Sequence, residues 1–288
     1  MRVGTVKLEG IETAALVVNE KVYLIEKINE ALGLAWKTSL FELIQSGQLN
    51  ELRDWYSASL TDLEKVESLA KEEVSFGPLY RHPRKIWGIG LNYVEHAADL
   101  SEVAPNTEPA SFMKPDTAII GPQDTILIPH QSERTTAEAE LGIIIGKECK
   151  DVSEEEAIEY VAGYTTIIDM TAEDILQRNP RYLTRSKSFD TFFSFGPELV
   201  TTDEVEDINR LVVSTMINGS LHRKNVVSNM TFRPWNLVSF HSKVMTLLPG
   251  DIISTGTPGA VIIRDGDVVA CEIEGFTSLE NPVKDLKK

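Results

Sequence analysis

The sequence predicts an α+β fold rich in strands, and three observations carry that expectation. Short apolar or alternating runs punctuated by Gly and Pro fill most of the chain after residue 85. Helical spacing is confined to a few stretches, at 39–46, 49–72, 153–161 and 233–251. The regular strand–helix alternation of a doubly wound sheet is missing. A mixed or antiparallel β-roll or barrel is therefore expected.

Taken in order, residues 1–27 read as strands, with Asn19-Glu20 turning the run TAALVV onto KVYLIE. Two helices follow, SLFELIQSG and LNELRDWYSASLTDLEKVESLAKE, with Thr61-Asp62 a candidate cap inside the second. The passage FGPLYRHPRK at 76–85 reads as a linker. It separates a small α/β N-terminal domain, 1–75, from a larger domain, 86–288. In the larger part KIWGIGLNY, ASFMKP, AELGIIIG, AGYTTIIDM, RLVVSTMING and DVVACEIEG are expected strands. HAADLSEV is a short helix or a mobile loop, and residues 94–106 are expected to be mobile without ligand. SEEEAIEYV has the Ser153–Glu156 spacing of a capping box. The stretch at 233–251 is a helix with Pro234 in its first turn and Pro249-Gly250 ending it.

Charge narrows the function class. Forty-four acidic against 28 basic residues give a net charge of −16, which argues against nucleic acid and anionic membrane as partners. No apolar run approaches the ~18–20 residues of a membrane span, and the N-terminus lacks a signal-type apolar core. The two cysteines, Cys149 and Cys271, fit a cytoplasmic chain and leave no zinc–thiolate site.

Residues 135–146, TTAEAELGIIIG, hold the strongest chemical signal. In a strand, Glu138 and Glu140 project from one face, ~7 Å apart at the backbone. Ala139, Leu141, Ile143 and Ile145 project from the other. Two neighbouring acids in a buried strand repel each other and are costly to desolvate, and a divalent cation removes both problems. Asp169, expected at the end of the strand YTTIID, is the candidate third ligand. Three carboxylates without Cys or adjacent His describe an oxygen-ligand site for Mg²⁺ or Mn²⁺. On pattern alone a solvated strand face, with Asp169 capping a helix, fits as well. His96 and Asp99 share a face if NYVEHAAD is helical, as a general base and its orienting acid or as a surface pair. Lys187 in RSKSFD is a carbonyl-polarising cation or an exposed lysine. In DIISTGTPGA, Gly256 and Thr257 are substrate contacts or a simple turn. Asn92 is a further candidate substrate contact.

The ordered set GIGLNYVEHA, FMKP, AEAELGIIIGK, GY…DMTAED, RSKSFD and GDIISTGTP resembles the fumarylacetoacetate hydrolase family, from about Lys85 to Val283. The resemblance implies a mixed β-sandwich roll behind a small N-terminal domain, usually as a homodimer. It implies Glu138, Glu140 and Asp169 as metal ligands, Lys187 beside the metal, and His96 with Asp99 on the lid. Thr257 would touch a substrate carboxylate. The implied reaction is C–C bond cleavage of a 2-oxo or 2,4-dioxo acid, with oxaloacetate decarboxylation as the neighbouring outcome of the same site. Isomerase or hydratase chemistry is a third outcome, and a non-catalytic binding protein a fourth. Three positions depart from the family's frequent patterns. Glu173 stands for an arginine, Leu176 for a glutamine, and TGTPGA has Gly259 where TGTPKG has lysine.

Overall fold

Two strands made almost wholly of buried residues, Thr135–Ile145 and Val161–Ala172, run antiparallel through the middle of the molecule. In this computed structural model residues 1–99 and 103–288 are described, and for Asp99 the backbone alone. The central pair sits in a 14-stranded sheet. On one side Val161–Ala172 pairs with Glu198–Thr201, and that strand pairs with Arg2–Leu8 of the N-terminal segment. On the other side Thr135–Ile145 pairs with Ile252–Ser254, followed by Ile86–Gly90 and Ala110–Lys114. A second sheet of five strands runs from Ser220–Val226 through Val212–Ile217, Val268–Ile273 and Leu279–Asp285 to Ile126–Ile128. The β-rich α+β expectation holds.

The period of two sorts the two faces of the central pair. Ala137, Ala139, Leu141, Ile143 and Ile145 pack with Ile168, Met170, Val213, Val269 and Ile273, filling the space between the sheets. The opposite face carries Ile144 and Ile167, which join a second core. That core also contains Val3, Leu16, Ile28, Leu43 and Leu52, so the sheet and the core run without a break across the texture change at 76–85.

Several local expectations change. The hairpin turns at Asn19, φ 53°, pairing Val17 with Val22, but the following strand stops at Leu24 and a helix, Ile25–Leu32, takes over. The helix expected over 49–72 ends at Ser59. A 3₁₀ turn, Leu60–Lys65, follows, and Leu69–Ala70 then pairs with Lys21 and Val22 at the sheet edge. The capping box forms, with Ser153 N donating to Glu156 Oε2 at 3.0 Å and Glu156 N donating to Ser153 Oγ at 3.3 Å. It starts no α-helix, because Val161 is already in register with Ile145 and only a 3₁₀ turn, Ala157–Tyr160, fits between. The helix Pro234–Val244 starts on its proline but ends at Met245, where the backbone becomes extended, before Pro249-Gly250. No helix among the described residues is long and apolar enough to cross a membrane.

The shared core gives a test. Leu16→Ala is expected to cost about 2–5 kcal/mol, as for a buried leucine truncation, and to lower a single cooperative transition in calorimetry. A separate early transition for residues 1–75 would show that they fold independently.

Candidate metal centre

The central ladder places Glu138 directly opposite Asp169, and Glu140 opposite Ile167. Opposed residues of an antiparallel pair share a face, so all three carboxylates converge. One oxygen from each lies within 4.8 Å of the others. Asp169 is inside its strand rather than at its end, since the strand continues to Ala172. Glu140 and Asp169 are buried and Glu138 is nearly so, which removes the solvated-face and helix-cap alternatives.

Each acid has its own donors. Lys187 Nζ bridges Glu138 Oε2 at 3.0 Å and Asp169 Oδ2 at 2.8 Å. Thr171 donates to Glu138 Oε1 at 2.8 Å. Lys114 Nζ binds Asp169 Oδ1 and donates to the Met170 carbonyl at 3.3 Å. Ser254 Oγ and Gly256 N both donate to Glu140 Oε2, at 2.6 and 2.8 Å, leaving Oε1 for a cation. Lys114, Thr171 and Ser254 are the members that sequence reasoning misses. The signal for Lys114 is alternation in the strand Ala110–Lys114, which puts it on one face with Phe112, whose ring lies 4.8 Å from Lys187 Nζ. Gly88 makes room for that ring, because a Cβ there would meet it at 2.3 Å.

The electrostatics follow from three anions and two lysines out of water. Burial, then Asp169 and Glu138, push the Glu140 carboxyl up to about 8. Burial also opposes charge on Glu138, but Lys187 and His96 outweigh it and hold that carboxyl below its ordinary value. Burial lowers Lys114, with Asp169 offsetting only part of the cost. Lys187 is raised, because Asp169, Glu138 and Glu140 together outweigh its own burial.

The chemistry of this set fits a hard divalent ion. At ~2.1 Å metal–oxygen bonds neighbouring octahedral ligands lie ~3 Å apart, so the three oxygens, within 4.8 Å of one another, would draw together around the ion. Glu138, Glu140 and Asp169 would hold it, and it would neutralise the surplus negative charge that, together with burial, raises Glu140.

His96 sits, buried, on the helix Val94–Asp99, near enough for its charge to act on Glu138. The side chain of Asp99, its expected partner, lies outside the described residues, as do residues 100–102 of the expected lid. The three expected substrate contacts, Asn92, Gly256 and Thr257, all have partners within the framework. Asn92 Nδ2 donates to the carbonyls of Phe232 and Thr255 at 2.9 and 2.8 Å, and its Oδ1 accepts from Phe232 N at 2.8 Å. Its amide therefore ties loops together. Gly256, φ +98°, spends its N–H on Glu140, and a Cβ there would meet Asn92 Cβ at 2.8 Å. The buried Thr257 hydroxyl accepts from Gly259 N at 3.1 Å, closing the turn. Glu173 accepts from Arg134 Nε at 2.7 Å and Gln177 Nε2 at 2.8 Å.

Because Glu140 gives up a proton to bind a cation, Mn²⁺ affinity is expected to rise up to ~10-fold per pH unit below about 8 and to level off above it. Without metal the sign reverses for stability. The folded carboxyl keeps its proton to about 8, against 4.5 ordinarily, so stability falls as pH rises between those values. Calorimetric titration with Mn²⁺ from pH 6 to 9 checks this, and an affinity flat across that range would remove Glu140 from the coordination set.

The family model described as fumarylacetoacetate (FAA) hydrolase C-terminal matches residues 85–284. An oxaloacetate tautomerase of Xenopus laevis is 38% identical over 224 residues, covering 75% of this chain and 70% of that protein. Among solved structures, a fumarylacetoacetate hydrolase from psychrophilic Exiguobacterium antarcticum superposes with a TM-score of 0.83 at 30% identity, covering 99% of each chain. A maleylpyruvate hydrolase from Sphingobium sp. SYK-6, in complex with manganese(II) and pyruvate, has a TM-score of 0.81 at 28% identity, again over 99% of each. The chain belongs to the fumarylacetoacetate hydrolase family.

Proposed function

We propose that this protein is a divalent-metal-dependent enzyme that enolises a 2-oxo acid, with keto–enol isomerisation of oxaloacetate as its reaction. The observation that carries the proposal is the buried Glu138–Glu140–Asp169 cluster bridged by Lys187 beside His96. A divalent ion held there supplies Lewis acidity toward the 2-oxo group and its carboxylate. Lys187 adds fixed positive charge next to the oxygen on which negative charge develops. His96 moves the proton at C3. In isomerisation one proton leaves C3 and one is added at the C2 oxygen, so nothing is consumed. Lys114 works indirectly, holding the Asp169 carboxylate in place.

The likeness to an oxaloacetate tautomerase supports isomerisation. A second reading, hydrolysis of an acylpyruvate to a carboxylic acid and pyruvate, is supported by the likeness to a maleylpyruvate hydrolase. There His96 would take a proton from the water that attacks the distal carbonyl. Decarboxylation of oxaloacetate starts from the same electron demand, with CO₂ leaving C3 in place of a proton.

The test is a side-by-side assay with Mg²⁺ or Mn²⁺ of enol-oxaloacetate decay, pyruvate release from oxaloacetate, and acetate release from acetylpyruvate. Glu140→Ala at equal metal serves as the blank for metal catalysis in solution. Isomerisation is expected to be fastest and to vanish with EDTA. Metal-dependent turnover of none of these would rule out the reading. His96→Ala is expected to retain Mn²⁺ but to slow the reaction ~10²–10⁴-fold. Loss of metal in that variant would make His96 a ligand or structural residue instead.

A further inference from the structure

We propose that Asp251, paired with Lys85, positions the groups that engage the metal ligand Glu140, and that Phe41 holds Asp251 in place from the N-terminal part of the chain. Both roles rest on the cation-dependent function proposed above and name remote residues that set its geometry.

Two strands start side by side at this pair. Lys85 and Asp251 immediately precede the parallel strands Ile86–Gly90 and Ile252–Ser254, which pair Ile86 with Ile252 and Gly88 with Ser254. Lys85 Nζ meets Asp251 Oδ2 at 2.6 Å, with the aspartate side chain fully buried and the lysine largely so. Leu248 N donates to the same oxygen at 2.7 Å, and Ile252 N donates to the Lys85 carbonyl at 3.0 Å. The Asp251 carbonyl accepts from Ile145 N at 2.9 Å, which ties this point to the strand bearing Glu140.

The register started here is the one that serves the site. Ser254, whose hydroxyl donates to Glu140, ends the strand, and Gly256, whose N–H donates to the same oxygen, follows. The neighbouring strand leads to Asn92, which holds the Thr255 carbonyl between those donors, and then to the helix bearing His96. Ile252–Ser254 is short, and a slip by one residue would turn Ser254 to the opposite face. A buried ion pair at its start fixes the register, a use for which such pairs are suited.

The turn before Asp251 is packed from the N-terminal part. Gly250 has φ +88°, and a Cβ there would lie 2.3 Å from Phe41 Cε2, so the ring fits only beside glycine. Phe41 belongs to the helix Leu40–Gln45, whose Leu40, Leu43 and Ile44 are buried in the second core. Its ring also packs on Tyr80, with centroids 5.0 Å apart.

Calorimetric titration of the full-length protein with Mn²⁺, below each variant's melting temperature, tests both roles. Asp251→Asn is expected to weaken Mn²⁺ binding ~10–100-fold, the range for residues that orient metal ligands. Ser254→Ala is expected to weaken binding in the wild type but to add little to Asp251→Asn, since both act through Glu140. Phe41→Leu, which removes the ring from Gly250 but keeps an apolar side chain, is expected to weaken binding too. Leu16→Ala, elsewhere in the same core, is expected to lower the melting temperature alone. Wild-type affinity in folded Asp251→Asn, or full additivity with Ser254→Ala, would overturn the role of Asp251. Wild-type affinity in Phe41→Leu would overturn that of the N-terminal part, and equal weakening by Leu16→Ala would overturn both. Lys85→Gln reads the same anchor should Asp251→Asn not fold. No Mn²⁺ binding by the wild type would instead overturn the cation site itself.

Discussion

Three carboxylates on one buried face of a sheet cannot stay ionised unless positive charge is built in around them, and the site is arranged around that constraint. Lys187 meets Glu138 and Asp169 from the end of the helix Leu183–Lys187, and Lys114 meets Asp169 from the strand Ala110–Lys114. Burial first, and then the neighbouring Asp169 and Glu138, make Glu140 the acid that carries the deficit of two cations against three anions, with its carboxyl pushed up to about 8. The scaffold thereby holds Glu138 ready and leaves the last charge for a divalent ion to draw out. Phe112 and Gly88 belong to the same solution, because the ring that lies against Lys187 fits only over a residue without Cβ.

The sheet delivers the donors for Glu140 by breaking its own register. Ser254 pairs with Gly142 and Ala260 with Glu138, so five residues, 255–259, stand opposite three, 139–141. The extra chain bulges, and the bulge brings Gly256 N onto Glu140 while Thr255 N still reaches the Leu141 carbonyl at 3.1 Å. Asn92 fastens the outer side of this loop. Conformational freedom at Gly256 is thus used to reach the Glu140 carboxylate, a structural duty that its motif alone cannot distinguish from contact with substrate.

What was legible in the sequence follows from the range of each interaction. The i, i+2 parity of Glu138 and Glu140 is a local property of a strand, and so is the apolar face at Ala139, Leu141 and Ile143. Asp169 was visible as an acid in a strand, but its register with Glu138 is a pairing across 31 residues. Lys114 looked ordinary because its partner is 55 residues away. Helix ends escape the local pattern for a related reason. The segments 49–72 and 153–161 have local helical signals, and both yield to strands that must join the sheet at Leu69–Ala70 and Val161. Continuity of the core from Val3 to Ile252 is likewise invisible to composition, which registers only the Pro- and Gly-rich passage between the two parts.

The three departures from the frequent family patterns do not have the same physical weight. Glu173 is satisfied by Arg134 and Gln177, so its charge is closed within the end of the central pair. Leu176 is half-buried on the following short helix and offers no polar group. Gly259 differs in kind, because removing a side chain there makes room for one from another strand. The sheet sets how much charge the site can hold, whereas a side chain at Gly259 would first meet Arg223 and none of the three carboxylates.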